Sequence, residues 1–556
     1  MKNNLKITLA LIFLIAIVLR FYKLDSVPFG FHADEAAMGY NAFSIIKTGK
    51  DEYGTKLPIL FLRSFNDWKA AGYVYLTIPP VFVFGLNEFS SRFPTAFFGV
   101  LTVSLLFLVA KKLTGSHKIA LLSALLLTLS PWHNNLSRIM SEPIVAAFFV
   151  LLGLYAFLKA NEKGQLKWLF LAFIIWLTSF YIYHSSRIFV PLFVIVMLFL
   201  FKSTMTPLVK KTSLLLTIFL LFIPLFLTTF FASGVNRFKA VSIFDHPYVQ
   251  LILEEQIRED GNQNTYLTRV FHNKVFNYGR EVLKNYTQHF TFDFFFLNGG
   301  LPLRENIPAS GIMYLIEAPF ILAGIYYLIK KRNKNSSIIL SWILISPISA
   351  AITFEDIPNV HRFIIAAPML ELVTAIGFFS MLDVVRRSSV KKAIITISLL
   401  SLIWGVFYYL HQYYIHQQVH RPWYRFSGYK EMVDFVSKNK KNYDRVLVTK
   451  AHAPPYIFFL FYEKYNPFLY QKANSPGDTD MKGFDKYIFT NEDCPTNVPK
   501  IVADQLSKKT LFVERGDCKS ASFVKELRVI RREDNTPAFR IVDIDSSKKI
   551  EFLPYE

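Results

Sequence analysis

Acidic residues and cysteines are what this sequence has least of. Its 556 residues hold 41 Asp+Glu against 62 Lys+Arg, and only 19% of the chain is charged. Soluble globular chains carry about 25% charge, so a string of water-soluble domains is excluded. Two cysteines exclude a disulfide-dense secreted scaffold. With 23 glycines and 26 prolines the chain is neither collagen-like nor low in complexity. No phosphate-binding glycine loop, zinc-ligand spacing or nucleophile elbow occurs. No internal repeat is visible. What is present is apolar: 52% hydrophobic residues, 56 phenylalanines and a mean hydropathy of +0.31. Disorder is excluded by the same excess, and an integral membrane protein follows.

Eleven apolar runs read as spans, at about 7–22, 90–110, 118–134, 143–158, 168–183, 188–201, 212–231, 311–329, 337–353, 363–382 and 393–411. The loops between them alternate. One side holds Lys2 and Lys6; Lys111, Lys112 and Lys118; Lys159, Lys163 and Lys167; Lys202, Lys210 and Lys211; Lys330, Lys331, Arg332 and Lys334; Arg386, Arg387, Lys391 and Lys392. The positive-inside rule makes that side cytoplasmic. These loops account for the net charge of +21 without a nucleic-acid partner. The N-terminus is expected inside and the tail outside, in a multi-pass cell-membrane protein. The first run continues as Arg20-Phe21-Tyr22-Lys23 with no small-residue cleavage site, so it reads as an anchor rather than a signal peptide.

Charge marks one boundary. Residues 421–556 carry 24 Lys+Arg and 19 Asp+Glu, far denser than the rest. The expected domains are therefore a membrane region, 1–412, with outward loops at about 23–89 and 232–310, and an extracytoplasmic tail, 413–556. Tail patterns predict helices at Glu431–Asn439 and Tyr456–Tyr465. They predict strands at Arg445–Thr449, Lys486–Thr490, Thr510–Val513 and Ala538–Val542, an α/β domain. Cys494 and Cys518 both lie there, and two thiols in an exported domain favour one disulfide. Phe290-Thr-Phe-Asp-Phe-Phe-Phe296 reads either as a membrane-surface patch or as a small loop core.

Charges beside the membrane are the candidate chemistry. The first outward loop opens Pro28-Phe-Gly-Phe-His32-Ala-Asp34-Glu35, and a helix is predicted from about Asp34 to Lys47, stopping at Gly49. Asp34 and Glu35 then sit at a helix N-terminus, where the dipole favours anions. The functional alternative is a carboxylate just above the bilayer that takes a proton from a hydroxyl. Asp51-Glu52, flanked by turn residues, reads as a solvated loop. Arg92, Arg138, Arg187 and Arg362 lie at outward span ends, either snorkelling or stabilising a phosphate. His184 and His361 would support a phosphate or hold a divalent metal, although a lone histidine is more often structural. Glu142 is expected to pair with Arg138 on one helix face. Asp478-Thr-Asp480 and Asp543-Ile-Asp545 match a metal-nucleotide signature but lack the strand context it needs.

The run Phe29-Gly-Phe-His-Ala-Asp34-Glu35-Ala-Ala, with Gly-Lys-Asp-Glu-Tyr-Gly behind it, resembles the first periplasmic loop of a membrane glycosyltransferase family. That family includes the protein O-mannosyltransferases and the aminoarabinose transferase of lipid A. Ser91-Arg92-Phe-Pro94, Ser130-Pro131-Trp132-His133 with Ser137-Arg138-Ile-Met-Ser-Glu142-Pro143, and His361-Arg362 with Ala367-Pro368 extend the resemblance to about residue 385. It implies a C-type glycosyltransferase fold and a polyprenyl-phosphate sugar donor. It also implies inverting transfer to a hydroxyl of a protein, lipid or cell-envelope glycan, with no cofactor required. The family's base falls on Asp34, with Glu35 beside it. A transporter or flippase of lipid-linked glycans is the alternative, but such proteins show repeat symmetry and broken helices at the bilayer midplane. Here the polar residues gather in outward loops.

Overall fold

A computed structural model describes residues 2–548 apart from 66, 231–238, 240, 262–265, 478, 506–507 and 546. The start of the 232–310 loop and Asp478 of the Asp478-Thr-Asp480 motif therefore lie outside the described residues. The chain divides into two units. The first comprises Met1–Tyr22, Trp68–Gly72 and Thr95–Gln412; the second comprises Lys23–Asp67, Tyr73–Pro94 and Tyr413–Glu556.

The first unit is a bundle of apolar helices, and the protein is an α-helical polytopic membrane protein. Among the described residues of the whole chain, six helices are long and apolar enough to cross a bilayer: Asn4–Phe21, Glu88–Thr114, Glu142–Lys163, Pro207–Pro224, Val360–Val384 and Ser388–Val419. The other five of the eleven apolar runs fold as helices of 12 to 17 residues. Those at 118–134, 168–183 and 188–201 become His117–Leu129, Leu166–Ile182 and Ser186–Phe201. Those at 311–329 and 337–353 become Ala318–Lys331 and Lys334–Ile345. A helix of 13 residues such as His117–Leu129 rises only about 20 Å, less than the ~30 Å hydrocarbon core. Small residues let helices approach closely, as in other membrane bundles. A Cβ on Gly377 would stand 1.8 Å from the Phe320 carbonyl, so Val360–Val384 and Ala318–Lys331 touch backbone to backbone. The final helix leaves Ile397, Leu400, Trp404 and Phe407 exposed, as a lipid-facing element must.

The second unit is built on a five-stranded mixed sheet. Its order is Tyr487–Thr490, Arg445–Thr449, Thr510–Arg515, Pro537–Ile544, Val524–Arg531. Arg445–Thr449 pairs in parallel with both of its neighbours, and the last two pairings are antiparallel. Val524–Arg531 was not legible in the sequence: its interior Lys, Glu, Leu and Arg are exposed, so it carries no apolar run. Cys494 and Cys518 form a disulfide. Glu514 and Arg540, both buried, pair at 2.5 Å.

Lys23–Asp67 and Tyr73–Pro94 fold with the tail in this unit. The Gln471 amide donates to the Asp51 carbonyl at 2.9 Å, the Ser475 hydroxyl to the Glu52 carbonyl at 2.6 Å and the Tyr40 hydroxyl to the Tyr465 carbonyl at 3.0 Å. Loop backbone groups withdrawn from water need such partners.

Candidate active site

The loop helix runs Ala33–Thr48 and ends on Gly49 in the left-handed conformation, φ +68°. Its N-terminus is a capping box. The His32 Nδ1 accepts from the Asp34 N–H at 3.2 Å, and Glu35 Oε2 accepts from the His32 N–H at 3.0 Å. Gly30 precedes it at φ +74°, where a Cβ would stand 2.4 Å from the Arg425 carbonyl. Only glycine meets both demands.

The two adjacent carboxylates have different surroundings. Glu35 is 3% exposed. Arg92 grips it with Nε to Oε1 at 2.9 Å and Nη2 to Oε2 at 3.2 Å. The other Arg92 hydrogens go to the carbonyls of Leu24 at 3.1 Å, Pro28 at 3.3 Å and Gly30 at 2.9 Å. A guanidinium has five N–H donors, so Arg92 is fully committed to holding the loop and cannot also clamp a phosphate. The Asp34 side chain remains 32% exposed, with Oδ2 3.4 Å from His32 Nδ1. That nitrogen also accepts from the Asp34 backbone N–H.

Asp51 and Glu52 are not solvated: they are 1% and 0% exposed. Asp51 Oδ1 accepts from the N–H groups of Tyr53 at 3.0 Å and Thr55 at 2.8 Å. Burial pushes its carboxyl above the usual range, against those hydrogen bonds. Glu52 lies near Tyr40, Tyr456 and Tyr470; burial first, and Glu52 second, raise the Tyr456 and Tyr470 phenols. The turn residues that suggested solvent instead fold the segment back under the tail.

The remaining candidates belong to the first unit. Arg138 terminates the helix Pro131–Ser137, while Glu142 opens the next, Glu142–Lys163. They therefore do not share a helix face, because Arg138 leaves helical geometry with ψ 3°. Arg138 donates to the carbonyls of Leu19 at 2.8 Å and Tyr22 at 2.6 Å, groups the end of the first helix leaves unpaired. Arg187 likewise donates to the Phe180 carbonyl at 3.2 Å. His184 lies between Leu166–Ile182 and Ser186–Phe201, its carbonyl accepting from the Arg187 N–H at 3.0 Å. The Trp132 and His361-Arg362 segments meet: Trp132 Nε1 donates to the Val360 carbonyl at 3.0 Å and its ring stacks on Phe363 at 5.5 Å. His361 Nε2 is 3.4 Å from Ser141 Oγ and 3.9 Å from Glu305 Oε2. Arg362 donates Nη1 to Thr353 Oγ1 at 2.8 Å and to the Glu355 carbonyl at 3.1 Å, its side chain 13% exposed. Among the described residues no group of three or more His, Cys, Asp and Glu side chains is placed to hold a metal.

Comparison with known proteins bears on this arrangement. The family described as dolichyl-phosphate-mannose-protein mannosyltransferase matches residues 75–229. An uncharacterized protein of Aquifex aeolicus is 39% identical over 89 residues, 16% of this chain and 18% of that protein. The putative mannosyltransferase YkcB of Bacillus subtilis is 28% identical over 137 residues, 22% of this chain and 19% of that protein. The matched stretches thus span under a fifth of either relative. Solved structures match across nearly the whole chain. ArnT from Cupriavidus metallidurans, bound to undecaprenyl phosphate, aligns with a TM-score of 0.55 at 12% identity over 98% of this chain and 99% of that one. The oligosaccharyltransferase AglB from Archaeoglobus fulgidus, in complex with an inhibitory peptide and a dolichol-phosphate, aligns with a TM-score of 0.52 at 14% identity over 92% of this chain and 69% of that one.

The chain has the C-type membrane glycosyltransferase fold.

Sequence reasoning missed the buried polar groups Glu305, Arg20 and His289. Glu305, 8% exposed, approaches His361. Arg20, fully buried, donates Nη2 to His133 Nδ1 at 2.9 Å and to the Leu127 carbonyl at 3.2 Å. Its position at the end of the first apolar run was the available signal. His289, fully buried, accepts at Nε2 from the Asn359 N–H at 2.9 Å.

Proposed function

We propose that the protein transfers a sugar from a polyprenyl-phosphate donor to a hydroxyl acceptor at the outer face of the membrane, with inversion and with Asp34 as general base. The acceptor oxygen attacks the anomeric carbon opposite the phosphate. The carbon–oxygen bond to phosphate breaks, the phosphate leaves with the electron pair, and the acceptor proton passes to Asp34. A hydroxyl is a poor nucleophile until that proton is taken, whereas the phosphate is already a leaving group.

The observation that carries this reading is the division of labour between neighbouring carboxylates. Glu35 is buried, caps the helix and holds Arg92, while Asp34 keeps a third of its side chain in solvent. The fold supports the substrate class, since the ArnT and AglB structures contain undecaprenyl phosphate and dolichol-phosphate. Arg362 is the donor-phosphate partner we favour. Arg92 has no N–H to give, and Arg138 and Arg187 are buried, whereas Arg362, held through Nη1 by Thr353 and Glu355, is only partly buried.

The test is direct. The purified full chain, in lipid, is incubated with a panel of polyprenyl-phosphate sugars and hydroxyl acceptors, and transfer is read by mass spectrometry. Release of polyprenyl phosphate coupled to a new glycosidic bond supports the reading. Movement of lipid-linked sugar across a vesicle without bond formation would replace it with transport.

A further inference from the structure

The helix Lys274–Gln288 in the second outward loop has its polarity reversed relative to a helix of a soluble protein. Its protein-facing side buries Asn277 and Asn285, 4% and 5% exposed. The Asn277 amide donates to Gln256 Oε1 at 2.9 Å, and the Asn285 amide to the carbonyls of Ala351 at 3.3 Å and Thr353 at 3.1 Å. Its outward side presents Val275 at 84%, Leu283 at 62% and Phe276 at 51% exposure. Val275, Gly279 and Leu283 follow at spacing i, i+4, i+8 and form one apolar strip. In water, three such side chains on one exposed face are a liability.

Two observations say what covers this face. The Tyr286 hydroxyl donates to the Leu344 carbonyl at 2.9 Å, tying the helix to the end of Lys334–Ile345, one of the apolar helices of the membrane bundle. Leu344 itself is 55% exposed, so the strip continues a lipid-facing surface. Basic side chains follow one edge of the strip: Arg280 lies beside it, and Lys284 follows, paired with Glu281 at 2.8 Å. An apolar sector bordered by cations is the pattern of a helix lying in the plane of an anionic bilayer surface. We propose that the Lys274–Gln288 helix lies in the interfacial layer of the outer leaflet. Val275, Phe276 and Leu283 enter the acyl boundary, and Arg280 and Lys284 lie at headgroup level. The occupant of the face is lipid, and its anchoring fixes the height of the second outward loop against the membrane.

Nitroxide labels on the full chain in phosphatidylethanolamine–phosphatidylglycerol liposomes test this. The native cysteines are joined to each other, so a single Val275→Cys, Leu283→Cys or Lys441→Cys takes the label alone. Lys441 is exposed in the second unit and reports water. The ratio of collisions with oxygen to collisions with a water-soluble nickel chelate should be several-fold higher at 275 and 283 than at 441. An equal ratio means the face is in water and overturns the proposal. Protection of 275 and 283 from both reagents means protein, such as a second copy, covers the face, and this also overturns it.

Discussion

Arg92 holds Glu35 through two hydrogen bonds, at 2.9 and 3.2 Å, with both side chains out of solvent. The pair spans 57 residues of sequence and shapes the entry to the loop helix. Removing one partner of a buried ion pair costs about 3–5 kcal/mol. Arg92→Ala should therefore lower the melting temperature sharply. Arg92→Lys should recover little, since one ammonium cannot reach Glu35 and three carbonyls together. An Arg92→Ala protein that melts like wild type but has lost turnover would return Arg92 to the donor phosphate.

For Arg362 the expectation is the reverse. Arg362→Ala should slow transfer by about 10²-fold, as a developing phosphate anion loses a preorganised partner, with partial rescue by lysine. Arg138→Ala should act mainly on stability through the freed carbonyls of Leu19 and Tyr22. Steady-state kinetics and melting curves on the two variants separate these roles. Wild-type transfer by Arg362→Ala would contradict the assignment.

His289 should make the segment that follows the helix Lys274–Gln288 acid-sensitive. Its Nδ1–H donates to the Asn285 carbonyl at 2.8 Å and its Nε2 accepts from the Asn359 N–H at 2.9 Å. Only the neutral ring does both. Burial holds its pKa down at about 4, against the usual 6.5, despite the Asn285 hydrogen bond. The unfolded chain therefore binds the proton first, and stability falls as pH drops from about 6.5 toward 4. Hydrogen exchange around Asn285 and Asn359 should rise over that window. His289→Gln should flatten the added acid sensitivity; a variant as acid-sensitive as wild type would exclude His289 as its source.

The Cys494–Cys518 bond closes a loop with a sequence separation of 24. Closing a loop of this size stabilises by roughly 3 kcal/mol in the chain-entropy account. Reduction should speed exchange in the strand Thr510–Arg515 and leave the membrane helices unchanged. Mass spectrometry finding two free thiols in the unreduced protein would end this expectation.

Local signals were legible in the sequence and distant partners were not. The loop helix and its stop at Gly49 follow from neighbouring residues, as do four of the five tail strands. The partner of Glu35 lies 57 residues away. Asp51 and Glu52 are buried by Gln471 and Ser475, more than 400 residues on. The 290–296 patch divides between its two readings: Phe294 and Phe295 are buried, while Phe290 and Phe292 are exposed. A burst of aromatic residues has no period that assigns its faces.

Asp34→Asn tests the central claim most directly. Asparagine keeps the shape and the helix-start hydrogen bonding but loses the basicity. Turnover and melting temperature are measured side by side on the same preparation. The account predicts a rate loss of about 10²–10⁴ with the fold and donor binding kept, because Glu35 and His32 carry the capping. A contribution limited to the helix N-terminus would cost roughly 1 kcal/mol of stability and leave turnover near normal. A well-folded, fully active Asp34→Asn protein would contradict Asp34 as the base.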